Sequence, residues 1–340
     1  MYLGKTTIMF KNKPMIVGNY SIVGDKEGCG NFSGYFHEVL KDDLFGEKTF
    51  EKAERKILQK SLERAVESAK LTIDDINVVI CGDLLNQIIS STFAVRELGI
   101  PYMGMYGACS TMAESLAVAA ILVDGGYANN VLAGTGTHFS SAERQYRTPL
   151  ELGNQRPPTT QWTITGAGAS VVSLSGIGHY ITCATIGKVI DYEIKDVNNM
   201  GAAMAPAAMD TLITHFINTN TRPDDYDLII TGDLGKLGSE ILMDLMENKG
   251  YKLKENYCDC GQMMYKDCQK TFQGGSGAGC SASVLNSYIL AKLTDGSYKR
   301  VLFCPTGALL STISSQQGES IPAICHAIEI IRNEKVKKWR

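Results

Sequence analysis

The stretch DDINVVICGDL at residues 74–84 returns as DDYDLIITGDL at residues 224–234. Six of the eleven positions are identical, and most of the others exchange like for like, Val78 for Leu228 and Val79 for Ile229. A second pair follows in the same order, Gly107-Ala108-Cys109-Ser110 against Ala278-Gly279-Cys280-Ser281. A third sets Asp124-Gly125-Gly126-Tyr127 against Asp295-Gly296-Ser297-Tyr298, with Val131-Leu132 and Val301-Leu302 next in line. Segments repeated in one register mark the chain as a duplication, with halves at 1–178 and 179–340.

Each copy of the first repeat is a short apolar run bounded by Asp and Gly, which reads as a buried strand. Ahead of it, Phe50, Ala53, Ile57, Leu58, Leu62, Ala65, Val66 and Ala69 keep helical spacing. Further helices are expected near 87–98 and after Cys109, then near 203–218, 236–249 and 281–293. Strands are expected near 130–134, 180–189, 227–231 and 300–304. Such alternation predicts an α/β protein whose central strands are covered on both faces. Ligand sites in such sheets lie beyond the carboxyl ends of strands, here the loops at 82–87, 105–110, 135–140, 232–236 and 305–308.

The 340 residues, 44% of them hydrophobic, suffice for a large core or two packed units. A net charge of −3 without a basic stripe argues against a nucleic-acid partner. No apolar run reaches the length of a membrane span, and the first residues lead into no signal-peptide core, so a soluble protein is expected. Ten scattered cysteines suit reduced thiols better than a disulfide framework. The basic tail, residues 335–340, reads as a solvated end or a weak membrane-surface contact.

Cys109 opens the run MYGACSTMAESLAVAAILV at residues 105–123. Ser110 and Thr111 suit an N-cap and Glu114 a first turn, and apolar residues on every side of 112–123 predict a buried helix. A cysteine there would meet unpaired amides and a helix dipole that favour its thiolate. It would equally serve as a small buried hydrophobe. Both remain open on this stretch alone.

The duplicated halves, the cysteine heading a buried helix and the strand entry Thr165-Gly166-Ala167-Gly168-Ala169-Ser170 together resemble the thiolase and ketoacyl-synthase superfamily. Gln155-Arg156-Pro157-Pro158 through Trp162, and Met200-Gly201-Ala202-Ala203-Met204-Ala205-Pro206, narrow the resemblance to a sporulation branch of it. The resemblance implies a thiolase-like fold: two duplicated α/β halves with layered sheets and buried central helices, usually in a homodimer, with the strand at 170–175 pairing across the two-fold. It also implies binding of dipicolinic acid or its calcium complex and a part in its uptake into the developing spore. Membrane components of the spore dipicolinate channel would be partners, and the location the forespore, peripheral to the inner spore membrane. No cofactor is implied.

Condensing enzymes of this superfamily need a cysteine nucleophile with two polar partners, His with His or His with Asn. One belongs just after the second-half strand, where this chain has Thr231-Gly232-Asp233-Leu234. The other belongs in the glycine-rich loop, where residues 273–280 hold neither His nor Asn, and Ser276 and Gly277 fall near the expected spot. Cys304 suits the second thiolase cysteine, without the glycines usual beside it. Of five histidines only His138 falls at a carboxyl strand end. Cys109 is therefore expected to be a vestigial nucleophile position, with no catalysis by the usual route.

The candidate ligand-binding residues are Cys109, His138, Asn198, Asn199, Met200, Asp233, Ser276, Gly277 and Thr306, with Met105, Tyr106 or Met200 as a flat wall. Asp83 and Asp233, mates in the repeat, could instead cap helices. Cys258, Cys260 and Cys268 lack paired zinc spacing, so no metal site is expected. The glycines of 274–279 lack a P-loop lysine. Three functions stay open: a binding module for a small aromatic dicarboxylate, an acyltransferase using Cys109 with His138 or Asp233, and a scaffold of a membrane complex.

Overall fold

The computed structural model describes residues 1–146, 150–153 and 155–336, so the basic tail beyond Val336 lies outside the described residues. In the first half, strands Met15–Val23, Gly166–Ser173, Asn130–Thr137, Val78–Gly82 and Tyr102–Gly104 lie side by side in that order. Their first two pairings are antiparallel and the last two parallel. In the second half, His179–Thr185, Ala327–Ile331, Arg300–Cys304, Leu228–Thr231 and Tyr257–Asp259 repeat the order and the sense of every pairing. The two sets meet where His179 and Tyr180 pair with Ile16 and Met15. The repeat seen in the sequence is a repeat of architecture.

The period-two alternation of the central strands builds the layers. Ile80, Val131, Ala133, Leu228, Ile230, Val301 and Phe303 all point into one shared core, which also takes Met112, Leu116 and Val123 of helix Thr111–Asp124. Ala282 and Val284 of helix Ala278–Val284 enter the same core, continued by the π-helical turn Leu285–Ile289. The residues between them face outward. Val79, Cys81 and Leu132 pack under helix Phe50–Ser68, whose Ile57, Leu58 and Leu62 hold the spacing read from the sequence. Ile229, Leu302 and Cys304 pack with Leu212 and Phe216 of helix Met200–Thr219 and Leu242 of helix Gly235–Asn248. Each buried Leu or Ile contributes roughly 1.5–3 kcal/mol, so strands loaded on both faces tie the outer helices to the shared core. Among the described residues no helix is long and apolar enough to cross a membrane.

Three local expectations need correction. Ser110 does not cap the buried helix: it is itself helical, and its hydroxyl turns back to Gly107 O at 2.7 Å. The strand expected at 170–175 for pairing between subunits is the interior strand Gly166–Ser173, bonded on both sides to Met15–Val23 and Asn130–Thr137. Its ladder has no free edge. The helix expected at 87–98 begins at Ile89, because Gln87 and Ile88 take left-handed backbone.

Candidate functional site

Cys109 sits on the tight turn Ala108–Ser110 ahead of helix Thr111–Asp124. Ala108 holds a left-handed φ of 50°, which costs an L-residue roughly 1–2 kcal/mol. The turn is braced to keep it. Thr111 Oγ1 donates to Ala108 O at 2.6 Å, and Gly107 N donates to Thr111 Oγ1 at 3.2 Å. From the second half, strand Thr306–Ala308 presses on the same turn: a Cβ on Gly307 would lie 2.1 Å from Gly107 O. Glycine is required there for the two backbones to touch, and that contact aims the Cys109 thiol at the second half.

The group it meets is Asp233, on the loop after strand Leu228–Thr231. The two lie close enough for each to shift the acidity of the other. Ser276 Oγ and Gly277 N donate to Asp233 Oδ2 at 3.0 and 3.3 Å, and Thr306 Oγ1 donates to Oδ1 at 3.1 Å. Burial pushes the Asp233 carboxyl up to about 7, against the bonds from Cys109, Gly277 and Ser276 and with the nearby charge of Asp259. Burial also drives the Cys109 thiol well above the usual range, and the adjacent Asp233 drives it further. The helix-terminal preference for a thiolate is overridden. A thiol so held is neutral at pH 7 and a poor nucleophile.

The structure therefore brings Cys109, Asp233, Ser276, Gly277 and Thr306 together, and puts Met200 with Cys109 and Ser276 on the wall of a small cavity. It does not bring the other candidates there. His138 accepts from Ser140 N at Nδ1 and donates from Nε2 to Asp43 O at 2.7 Å, so both ring nitrogens are engaged with backbone. Asn199 caps helix Met200–Thr219 by accepting from Ala202 N, and Asn198 lies on the loop closed by Asp196. Cys304 is packed in the outer core of the second half. Asp83 accepts from Leu85 N, Ser91 N and Ser91 Oγ, the helix-capping role that its place after a strand left open.

The rest of the wall comes from a helix that the sequence pattern did not disclose. Ala142, Glu143 and Tyr146 of Phe139–Tyr146 face the cavity, with Leu84, Tyr106, Thr163 and Leu310. This helix is mostly polar, and the i, i+4 pair Ala142 and Tyr146 was the available signal. Arg156 bonds Glu143 at 3.2 Å and lies 4.9 Å over the Trp162 ring, which stacks on Phe139 at 4.1 Å. The segment between the halves thus clasps this helix.

Among the described residues, Cys183, His215 and Glu329 hold possible metal-ligating atoms within 4.8 Å of one another, and none of the three lines the cavity. His215 bonds Thr185 and Tyr226, and Arg300 clamps Glu329 at 2.6 Å, so two of the three are engaged by protein partners.

The elevation of Asp233 makes a pH signature. An acid whose folded pKa lies above its unfolded value of about 3.9 keeps a proton that the unfolded chain has released. Its contribution to stability then declines as pH rises from about 4 to 7 and is level above. Asp233→Asn keeps the shape and cannot titrate. Its stability relative to the parent should improve between pH 5 and pH 7, by up to about 1.4 kcal/mol per unit, and hold constant from pH 7 to 8. Urea midpoints at the three pH values measure this; a pH-independent difference would refute the assignment.

The same architecture and sequence recur in known proteins. The model of the stage V sporulation protein AD family matches residues 4–331. The stage V sporulation protein AD of Bacillus subtilis (strain 168) is 43% identical over 325 residues, 96% of each chain. The 3-oxoacyl-acyl-carrier-protein synthase III of Aquifex aeolicus VF5 superposes with a TM-score of 0.58 at 13% identity, covering 94% of this chain and 99% of its own. Cerulenin-bound OleA of Xanthomonas campestris gives 0.60 at 13%, covering 95% and 98%. Its thiolase-like fold is that of the condensing enzymes, and the chain belongs to the stage V sporulation protein AD family.

Proposed function

We propose that this protein binds dipicolinic acid as its calcium complex in the cleft before Cys109, without condensing chemistry, and supports its uptake into the developing spore. One observation carries the reading: the thiol faces a carboxylic acid where a condensing enzyme would present an imidazole, and it is held neutral there. Family membership supplies the sporulation context. The cleft has the materials for a flat oxygen-bearing ligand, with Met200 and Tyr106 for the ring and the Thr163 hydroxyl for an oxygen. Its charged wall residue, Glu143, bonds Arg156, and Asp233 lies just behind. A bare dianion would add negative charge to that wall. Its neutral calcium complex does not.

The protein would act in the forespore at the inner membrane, with membrane components of the dipicolinate channel as partners, and as a homodimer. The interior strand Gly166–Ser173 is unavailable for subunit pairing. The terminal strand Tyr102–Gly104 bonds Val78–Gly82 on one side, and its Met103 is 47% exposed beside Ile89 at 41% and Phe93 at 36%. Unpaired strand edges beside apolar side chains invite pairing, and two copies of one edge close a C2 dimer. Light scattering should give a dimer mass for the parent and a monomer for Met103→Glu. Equal masses would reject this edge.

Binding is tested by melting and calorimetry. A ligand at a hundred times its dissociation constant stabilises the folded state by about 2.7 kcal/mol. Calcium dipicolinate should raise Tm clearly, Cys109→Trp should remove the rise while leaving the dimer folded, and Cys109→Ser should largely keep it. No change with millimolar dipicolinate, with or without calcium, would reject direct binding.

Asp233 titrating near pH 7 beside a cysteine is the specific observation in favour of an acyltransferase. Intact-mass analysis after incubation with acetyl- or malonyl-CoA decides. No adduct is expected; a stable one that is lost in Cys109→Ala would establish the enzyme.

A further inference from the structure

Behind Tyr106 and Tyr146, the chamber at Cys109 holds about 40 Å³, room for a few water molecules and too little for an aromatic ring. In front of them opens a hollow of about 740 Å³, floored by Asn86, Gln87 and Met105 and rimmed by Leu309 and Ser311. Tyr106, Tyr146 and Leu310 are walls of both spaces. The two phenol hydroxyls lie 3.1 Å apart, across the boundary between them.

Proton counting tells the two tyrosines apart. Tyr146 gives its one hydroxyl proton to Leu84 O. Tyr106 must therefore be the donor in the pair and Tyr146 the acceptor. Tyr146 is fixed twice, by that bond and by its place on helix Phe139–Tyr146. Tyr106 stands on the short link between strand Tyr102–Gly104 and the Cys109 turn, its residue 43% exposed, and its hydroxyl bond to Tyr146 spans the boundary.

We infer that Tyr106 and Tyr146 form a gate in front of Cys109, Tyr106 the swinging leaf and Tyr146 the fixed post. With Tyr106 in place the chamber is too small for the ring that the proposed function puts before Cys109; swinging Tyr106 aside joins it to the larger hollow, so this pair controls access to the thiol. The gate stands apart from the identity of the ligand, and its test uses none.

The test is labelling of the native chain with N-ethylmaleimide and peptide mass mapping. Cys29 is exposed and serves as the internal reference, and Cys81 is buried and reports unfolding. Cys109 should label slowly relative to Cys29. Tyr106→Phe, which keeps the ring and removes the bond, should speed Cys109 labelling about fivefold, the population change one net hydrogen bond is worth. Cys81 should stay silent, and the pH profile of Cys109 labelling should keep its midpoint, which separates access from acidity. Tyr146→Phe breaks the same bond and should give at least the same gain. If neither variant changes the Cys109-to-Cys29 ratio, or if Cys81 labels in step with Cys109, the gate is wrong.

Discussion

Helix Ala278–Val284 lies so close to strand Gly166–Ser173 that no side chain fits between them. A Cβ on Gly168 would stand 2.2 Å from Ala282 O, and one on Gly279 would stand 2.2 Å from Gly166 O. The helix belongs to the second half and the strand to the first. Their contact therefore locks the halves together through backbone, with no rotamer to adjust. Everything at the site inherits that registration. Gly277, which begins the helix with a left-handed φ of 101°, and Ser276 before it are carried to Asp233. Gly307 brings the neighbouring strand against the Cys109 turn in the same way.

Within that frame, the chemistry follows from one exchange of side chain. An imidazole beside a cysteine takes its proton and leaves an ion pair, which a buried site tolerates. A carboxylate that takes the cysteine's proton leaves a thiolate next to a neutral acid, which moves the one charge onto the weaker acid. Loss of the proton to solvent would leave two adjacent negative charges, which burial penalises. The pair settles instead with the thiol protonated, and Ser276, Thr306 and Gly277 donate to the Asp233 carboxylate. The same donors that would steady a charge in a condensing enzyme here steady a resting hydrogen-bond network.

How much of this the sequence disclosed depends on the period of each element. The strands of the repeat are legible because both faces are apolar, and helix Phe50–Ser68 because its stripe is unbroken. Strands Met15–Val23 and Ala327–Ile331 are not: they carry polar residues such as Asn19 and Glu329 that find partners only across the fold, in Asn286 O and Arg300. Asp233, Ser276 and Thr306 can be placed from the duplication and the glycine loop. Glu143 and Tyr146 cannot, because the helix that carries them is held by Arg156 and by Trp162, which begins a two-residue strand that no sequence period marks. His138 has the place of a site residue, just after a strand, and only the partners of its two nitrogens show why it is engaged elsewhere.

The duplication also explains why Asp233 and not its mate Asp83 is free to face a cysteine. Both follow the same strand, and the chain leaves each strand with backbone N–H groups that need acceptors. In the first half Asp83 supplies them, taking Leu85 N and Ser91 N, and its carboxylate is used up. In the second half the neighbouring strand contributes Asp259, which takes Leu234 N at 2.9 Å and Gly235 N at 3.0 Å. The sheet registers put Gly104 beside Cys81 in the first half and Asp259 beside Thr231 in the second, so Gly104 is the mate of Asp259. Where that strand ends in glycine, no carboxylate is available and Asp83 must cap. Where it ends in aspartate, Asp233 is released from capping toward Cys109. One position on a neighbouring strand thus decides which of two equivalent acids belongs to the frame and which to the site.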